Sequence, residues 1–173
     1  MSAERSLLIL GAGQYGQVAK EVAESTKRFD RIDFLDDNSE LAVAKLDAYE
    51  SLVDRYKYAF VAIGNANLRL SYIQKLEKVN FEAAILISPK AHVSASAQLM
   101  PGCIVEPMAV INANSVIGKG VIVCAGAIVN HNAVVGEGCQ LDCGSVVGSN
   151  VKLNSNTKLK YNEVFDKNTE ENV

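Results

Sequence analysis

Hydrophobic and polar positions follow two different periods along the chain, and the change comes near residue 86. Before it, short apolar runs alternate with amphipathic stretches. The run SLLIL (6–10) predicts a buried strand and residues 14–27 a helix. RIDFL (31–35) predicts a second strand, 45–54 a short helix, KYAFVAI (57–63) a third strand, 67–79 a helix and EAAILI (82–87) a closing strand. Apolar runs without polar alternation, separated by helical segments, are the pattern of a parallel sheet buried on both faces by crossover helices. The expected order is βαβαβαβ.

From residue 87 the helical period gives way to a period of six. Ile87, Val93, Leu99, Val105, Ile111, Ile117, Val123, Val129, Val135, Leu141, Val147, Leu153 and Leu159 are all aliphatic. The residue two before each is small or slender, as in Cys103, Ala109, Ser115, Val121, Ala127, Ala133 and Cys139. The residue three after is mostly Gly or Asn, as in Gly102, Asn114, Gly120, Gly126, Asn132, Gly138 and Gly144. Gly and Asn are the residues that tolerate positive φ, so a turn recurs every sixth residue. Between turns an aliphatic and a small side chain point inward. Three such hexads per coil close a prism, the left-handed parallel β-helix, whose coils stack at about 4.7–4.9 Å. The expected organisation is an α/β domain over 1–86, the β-helix over 87–160, and a polar tail over 161–173, helical or frayed.

One further column concerns assembly. The residue before each inward aliphatic faces outward, and in mid-repeat it reads Ile104, Val110, Val116, Ile122, Ile128 and Val134 before turning polar at Gln140, Lys152 and Lys158. An apolar outer wall of this extent marks a contact between subunits. A homotrimer of parallel prisms is expected, with cover by the N-terminal domain as the alternative.

Composition narrows the partners. A net charge of −3 with no basic run excludes a nucleic-acid binder. No apolar stretch is long enough to span a bilayer, and MSAERSLLIL lacks a signal-peptide layout. The four cysteines, Cys103, Cys124, Cys139 and Cys143, form no CxxC pair or His/Cys ligand spacing, so no metal is expected. They are read as reduced, in a cytoplasmic protein.

Two stretches carry chemistry. Gly11-Ala12-Gly13-Gln14-Tyr15-Gly16 follows the first strand and opens a helix, where glycines bring amide N–H groups at the positive helix end close to a pyrophosphate. Asp36 and Asp37 end the second strand, placed to accept hydrogen bonds from a ribose or base. Gly64, Asn65 and Arg69 follow the third strand and border the same Rossmann-like crevice. This is a dinucleotide fingerprint, and an NAD-binding module is one reading of it. Some 86 residues make only one mononucleotide half, however, which suits a nucleotide-sugar better. The second stretch is AGAIVNHNAVVGEG (125–138). In the hexad begun by Val129, His131 falls on a corner of the prism, exposed, beside the turn residue Asn132. His92 falls on the outer column and is assigned no role.

Together, LILGAGQYGQVAKEVA, FLDD, VAIGNANLR, LISPKAHVSASA and VNHNAVVGEGCQL resemble, in order and spacing, the NeuD/PglD-type bacterial sugar acetyltransferases, over residues 6 to 150 or so. The resemblance implies a trimer that moves acetyl from acetyl-CoA onto an amino or hydroxyl group of a UDP-sugar or similar nucleotide-sugar, for surface-glycan biosynthesis. It implies that Gly11, Gly13, Gln14, Tyr15, Gly16, Asp36, Asp37, Gly64, Asn65 and Arg69 line the sugar-nucleotide site, and that His131 is the general base. Asn132 stands where the family has a carboxylate, as an uncharged orienting group. Gln140 stands where many members place a second histidine near acetyl-CoA. Gly144 or Gly126 is expected to offer a backbone N–H to the oxyanion. The resemblance also implies further coils ending in a Gly-x-Pro-Ala-like segment, so a shortened acetyl-CoA region is expected here. A catalytically degenerate sugar-nucleotide-binding trimer of the same fold is the alternative.

Overall fold

The run SLLIL forms β1 (Ser6–Leu10), buried along its whole length at the centre of a five-stranded parallel sheet. The computed structural model describes residues 3–167. In it the chain divides into two units, Met1–Leu86 and Ile87–Val173. In the first, the sheet also contains β2 (Arg31–Leu35), β3 (Ala42–Ala44), β4 (Tyr58–Val61) and β5 (Glu82–Ala83), in the order β3-β2-β1-β4-β5. Leu8 and Leu10 join a core cluster with Leu35, Tyr56, Val61 and two residues of α2 (Ala66–Lys78), Ile73 and Leu76. Leu7 and Ile9 point to the opposite face, where α1 (Gln14–Ser25) buries Ala19, Val22 and Ala23. Burying each such aliphatic side chain contributes about 1.5–3 kcal/mol, which is why a strand with no polar face sits at the centre.

The sheet departs from expectation at its margins. The edge strand β3 is an addition; it lies in the short apolar run LAVA (41–44), whose Leu41 and Val43 are exposed. The stretch expected as a helix over 45–54 is a 3-10 helix, Leu46–Leu52. EAAILI is not one strand: Glu82–Ala83 pairs with β4, and a separate strand, Leu86–Ile87, follows. A continuous apolar run carries no period to show where one strand stops.

The second unit is a left-handed parallel β-helix built from two-residue strands. One ladder runs His92–Val93, Val110–Ile111, Ile128–Val129, Val146–Val147 and Val164–Phe165. The next runs Gln98–Leu99, Val116–Ile117, Val134–Val135 and Lys152–Leu153. The third includes Ile104–Val105, Ile122–Val123, Gln140–Leu141 and Lys158–Leu159. The aliphatic column from Val105 to Leu159 is buried, as is the small column from Cys103 to Val151. From Gly102 to Asn162 every corner turns through the left-handed region. One corner uses Gly102, Gly120, Gly138 and Asn156; the next Met108, Gly126, Gly144 and Asn162; the third Asn114, Asn132 and Asn150.

Two expectations are corrected. The repeat does not end near Leu159: Val164–Phe165 adds another strand to the first ladder, with Asn162 at φ 58° on the turn before it. The aromatic Phe165 takes the inward place, which hid the hexad among polar residues; the rest of the expected tail, 168–173, lies outside the described residues. The outer apolar column is also not uniform. Ile104 and Ile122 are already buried within the chain, whereas Val110, Ile128 and Val146 on one face and Val116 and Val134 on the next are half-buried. The half-buried part of the column flanks a single corner, the one that carries His131.

Close stacking of coils explains Gly118, a glycine off the turns. A Cβ on Gly118 would lie 2.7 Å from the Glu137 nitrogen and 2.8 Å from the Gly136 carbonyl carbon. Both are main-chain atoms of the next coil and cannot rotate away. Gly118→Ala is therefore expected to cost about 1–3 kcal/mol, read as a lowered urea midpoint at unchanged slope.

Candidate functional site

In the first unit the strand order reverses between β1 and β4, the switch point at which the loops after the two strands part and leave a crevice. These loops are residues 11–13 and 62–65. Gly11 adopts φ +102°, and a Cβ there would lie 2.8 Å from the Ala62 carbonyl oxygen. A Cβ on Gly16 would run into the Gly11 carbonyl oxygen, so Gly16 serves the packing of α1 on the loop. Gly13 and Gly64 face open space instead. Gly13 is the N-cap of α1 and has no side chain with which to cap it, so no side chain occupies the positive end of the helix. Gln14 beside it is exposed and Tyr15 half-buried.

The carboxylates divide the work differently from expectation. Asp36 Oδ2 accepts the Ala12 N–H at 2.8 Å, and Oδ1 accepts the Asn38 N–H at 2.9 Å. Asp36 thus clamps the glycine loop to the end of β2, and its two oxygens are engaged by main chain, not held free for a ribose. The Ala12 hydrogen bond, followed by that from Asn38, holds its carboxyl below the usual carboxylate range. With the folded pKa depressed, this stabilisation is present above the unfolded value of about 3.9 and is lost as pH falls through the folded value. The stability difference between wild type and Asp36→Asn is therefore expected to be constant from neutral pH down to about 5 and to shrink below about 4, measured by urea titration at each pH. Asp37 is exposed, and its Oδ1 accepts the Leu46 N–H at 3.1 Å.

Asn65 and Arg69 build the opposite lip. Asn65 is the N-cap of α2, its Oδ1 accepting the Leu68 N–H at 2.9 Å. Arg69, expected to touch substrate, is wholly buried. Its Nη1 donates to the Ile63 carbonyl at 2.7 Å and to the Gly64 carbonyl at 3.0 Å. The guanidinium holds the loop from behind; it is a positioning residue.

In the second unit, His131 stands exposed on its corner as expected, between the half-buried strands Ile128–Val129 and Val134–Val135. Its ring has no hydrogen-bond partner among the described residues. Asn132 does not orient it. Asn114 Nδ2 donates to Asn132 Oδ1 at 3.2 Å, and Asn132 Nδ2 donates to Asn150 Oδ1 at 3.1 Å, an amide ladder running along the turns. Inside it, Asn112 Nδ2 donates to Asn130 Oδ1 at 3.3 Å. Asn132 is where it is because asparagine combines a tolerated φ of 58° with this ladder. The signal was present in the sequence as asparagines three hexads apart, at 114, 132 and 150.

The residues expected near acetyl-CoA and the oxyanion lie elsewhere. The Gly126 N–H donates to the Pro107 carbonyl at 3.3 Å and the Gly144 N–H to the Ala125 carbonyl at 3.2 Å, both on a different corner from His131. Neither amide is free for an oxyanion, and the Asn162 side chain lies against Gly144. Gln140 donates to Asp142 Oδ1 at 2.7 Å, and Asp142 Oδ2 meets Lys158 at 3.3 Å. Burial, and then the nearby Glu106 carboxylate, push the Cys124 thiol up, so it is protonated at neutral pH and no nucleophile. Among the described residues no group of His, Cys, Asp and Glu is arranged to hold a metal. None of the described helices is long and apolar enough to cross a membrane.

Residues 6–76 match the family model of the PglD N-terminal domain. No curated protein matches the sequence. Among solved structures, the acetyltransferase domain of PglB from Neisseria gonorrhoeae FA1090 is 26% identical, with 94% of this chain and 85% of that chain covered and a TM-score of 0.83. The same domain in complex with acetyl coenzyme A superposes with a TM-score of 0.79. A variant of perosamine N-acetyltransferase from Caulobacter crescentus, in complex with CoA and GDP-perosamine, is 22% identical, covers 94% and 91% of the two chains, and gives a TM-score of 0.79. WeeI from Acinetobacter baumannii AYE, at 15% identity, covers 91% and 92% with a TM-score of 0.73. The last two are likenesses of fold.

Proposed function

We propose that this chain, a PglD-like N-terminal domain followed by a left-handed β-helix, is an enzyme of the NeuD/PglD type that transfers acetyl from acetyl-CoA to an amino or hydroxyl group of a nucleotide-linked sugar in bacterial surface-glycan biosynthesis. The observation that carries the reading is His131. It is the one histidine on a turn of the prism, it is exposed, and its ring is uncommitted. A neutral imidazole is suited to general-base work near neutral pH. His131 takes the proton as the acceptor nitrogen or oxygen attacks the thioester carbonyl carbon. The tetrahedral intermediate then collapses, the C–S bond breaks, and the thiolate leaves as CoA after taking up a proton.

The sugar-nucleotide is assigned to the crevice of the first unit. Its pyrophosphate lies on the uncapped N-terminus of α1, beside the open Gly13 and Gly64. Gln14, Tyr15 and Asp37 are the side chains that reach it, with Asp36, Gly16, Asn65 and Arg69 holding the walls. Acetyl-CoA is the co-substrate, a reading supported by the PglB domain solved with it. The half-buried valines and isoleucines flanking the His131 corner support a homotrimer in which that corner borders a subunit interface.

One observation favours a second reading, a sugar-nucleotide-binding trimer without turnover. The residue after His131 is an amide committed to the asparagine ladder, so nothing beside the ring in sequence stabilises an imidazolium. Thermal unfolding separates the two. The acetyltransferase reading expects stabilisation by acetyl-CoA and by a UDP- or GDP-amino sugar, each growing with ligand concentration. Stabilisation by the sugar-nucleotide alone supports the second reading, and stabilisation by NAD in preference to both overturns each of them.

A further inference from the structure

The corner that carries His131 is crossed by the same residue positions in every coil. Its middle position reads Ala95, Ala113, His131 and Ser149 up the prism. The ladders fix this stacking. Ile128 and Val129 lie opposite Val146 and Val147, and the Asn150 N–H donates to the His131 carbonyl at 3.2 Å. Ser149 therefore follows His131 one coil along, about 4.7–4.9 Å away in main-chain spacing.

The polar groups around this pair are committed. The Asn132 and Asn150 amides bond to each other, and Asn130 Oδ1 accepts from Asn112. Ala113, on the coil below His131, has no polar side-chain atom. The His131 imidazole and the half-buried Ser149 hydroxyl are the two side-chain polar groups of these coils on this corner that have no hydrogen-bond partner among the described residues. Neither side chain has a hydrogen bond to break, and the two stand on the same position of adjacent coils.

We infer that Ser149 is a positioning residue for His131, its Oγ accepting the imidazole Nδ1–H and leaving Nε2 bare to take the acceptor's proton. The inference rests on the reading of His131 as general base. Which imidazole nitrogen carries the proton is set by the hydrogen bond the other makes. Nδ1 is the nitrogen nearer the main chain and so the one within reach of the next coil. A hydroxyl fixes the ring and its tautomer but brings no charge, in a chain whose sequence supplies no carboxylate beside the histidine.

The test is ring-nitrogen NMR of the full chain without ligand, where His92 and His131 give the only imidazole signals and a His131→Gln control assigns them. Neutral His131 is expected to be predominantly Nδ1–H in the wild type, to shift towards the water-favoured Nε2–H tautomer in Ser149→Ala, and to return in Ser149→Thr. In acetyl transfer, Ser149→Ala is expected to lower kcat about three- to tenfold with KM unchanged, the equivalent of one neutral hydrogen bond, and Ser149→Thr to restore it. The same tautomer in wild type and Ser149→Ala overturns the inference, whatever the effect on kcat. A tautomer shift in a protein that transfers no acetyl group supports the contact and refutes the base instead.

Discussion

Replacing His131 by alanine is expected to lower kcat/KM for acetyl transfer by about 10²–10⁴-fold, the usual contribution of a positioned general base, with little change in stability. Stability is spared because the ring is exposed and has no described partner in the chain, and substitutions at such positions stay within about 0.5 kcal/mol. The main-chain carbonyl that receives the Asn150 N–H is kept by any residue at this position. The loss should fall on kcat more than on KM, because proton removal happens in the transition state and not on binding. Stopped-flow or steady-state kinetics beside a urea titration of the same variant checks both halves. Full activity in a folded variant places the base elsewhere.

Arg69→Ala is the substitution expected to harm the fold most. The wild-type guanidinium is wholly buried and donates to two carbonyls of the loop that leads into α2. Removing it leaves the Ile63 and Gly64 carbonyls without these donors and opens a cavity behind them. Charge-assisted hydrogen bonds and the packing of a large side chain together make this a loss of about 3–5 kcal/mol. Arg69→Lys should recover part of it, since one ammonium reaches one carbonyl but lacks the planar fork. At temperatures where Arg69→Ala remains folded, sugar-nucleotide affinity should also fall, because one lip of the crevice has lost its brace. An affinity loss with unchanged stability would instead make Arg69 a direct ligand contact.

The architecture was legible in the sequence wherever a period repeats. A hexad signal from Ile87 to Leu159 left no competing fold, and the uninterrupted apolarity of SLLIL required a strand covered on both faces. Expectation failed where a residue broke its column for a local reason. Phe165 replaced an aliphatic and concealed a strand; Ala42–Ala44, within a run of only four apolar residues, joined the sheet at an exposed edge. The candidate site was legible in its location and less so in its division of labour. A GxGxxG loop followed by an Asp reads as a ligand clamp, yet Asp36 turned its oxygens to the loop's own main chain. Which side a carboxylate or guanidinium faces depends on main-chain donors and acceptors brought near by folding, and side-chain type alone does not encode it. Asn132 shows the same limit: beside a candidate base it reads as a partner, but its stacking on Asn114 and Asn150 makes it part of the scaffold.

The central claim, acetyl transfer to a nucleotide-linked sugar, is tested most directly by following free thiol as the protein is mixed with acetyl-CoA and a panel of UDP- and GDP-linked amino sugars. The account predicts thiol release that requires both substrates, matches the acetylated sugar mole for mole, and is lost in His131→Ala. Sugar-nucleotide binding without thiol release from any member of the panel would contradict it.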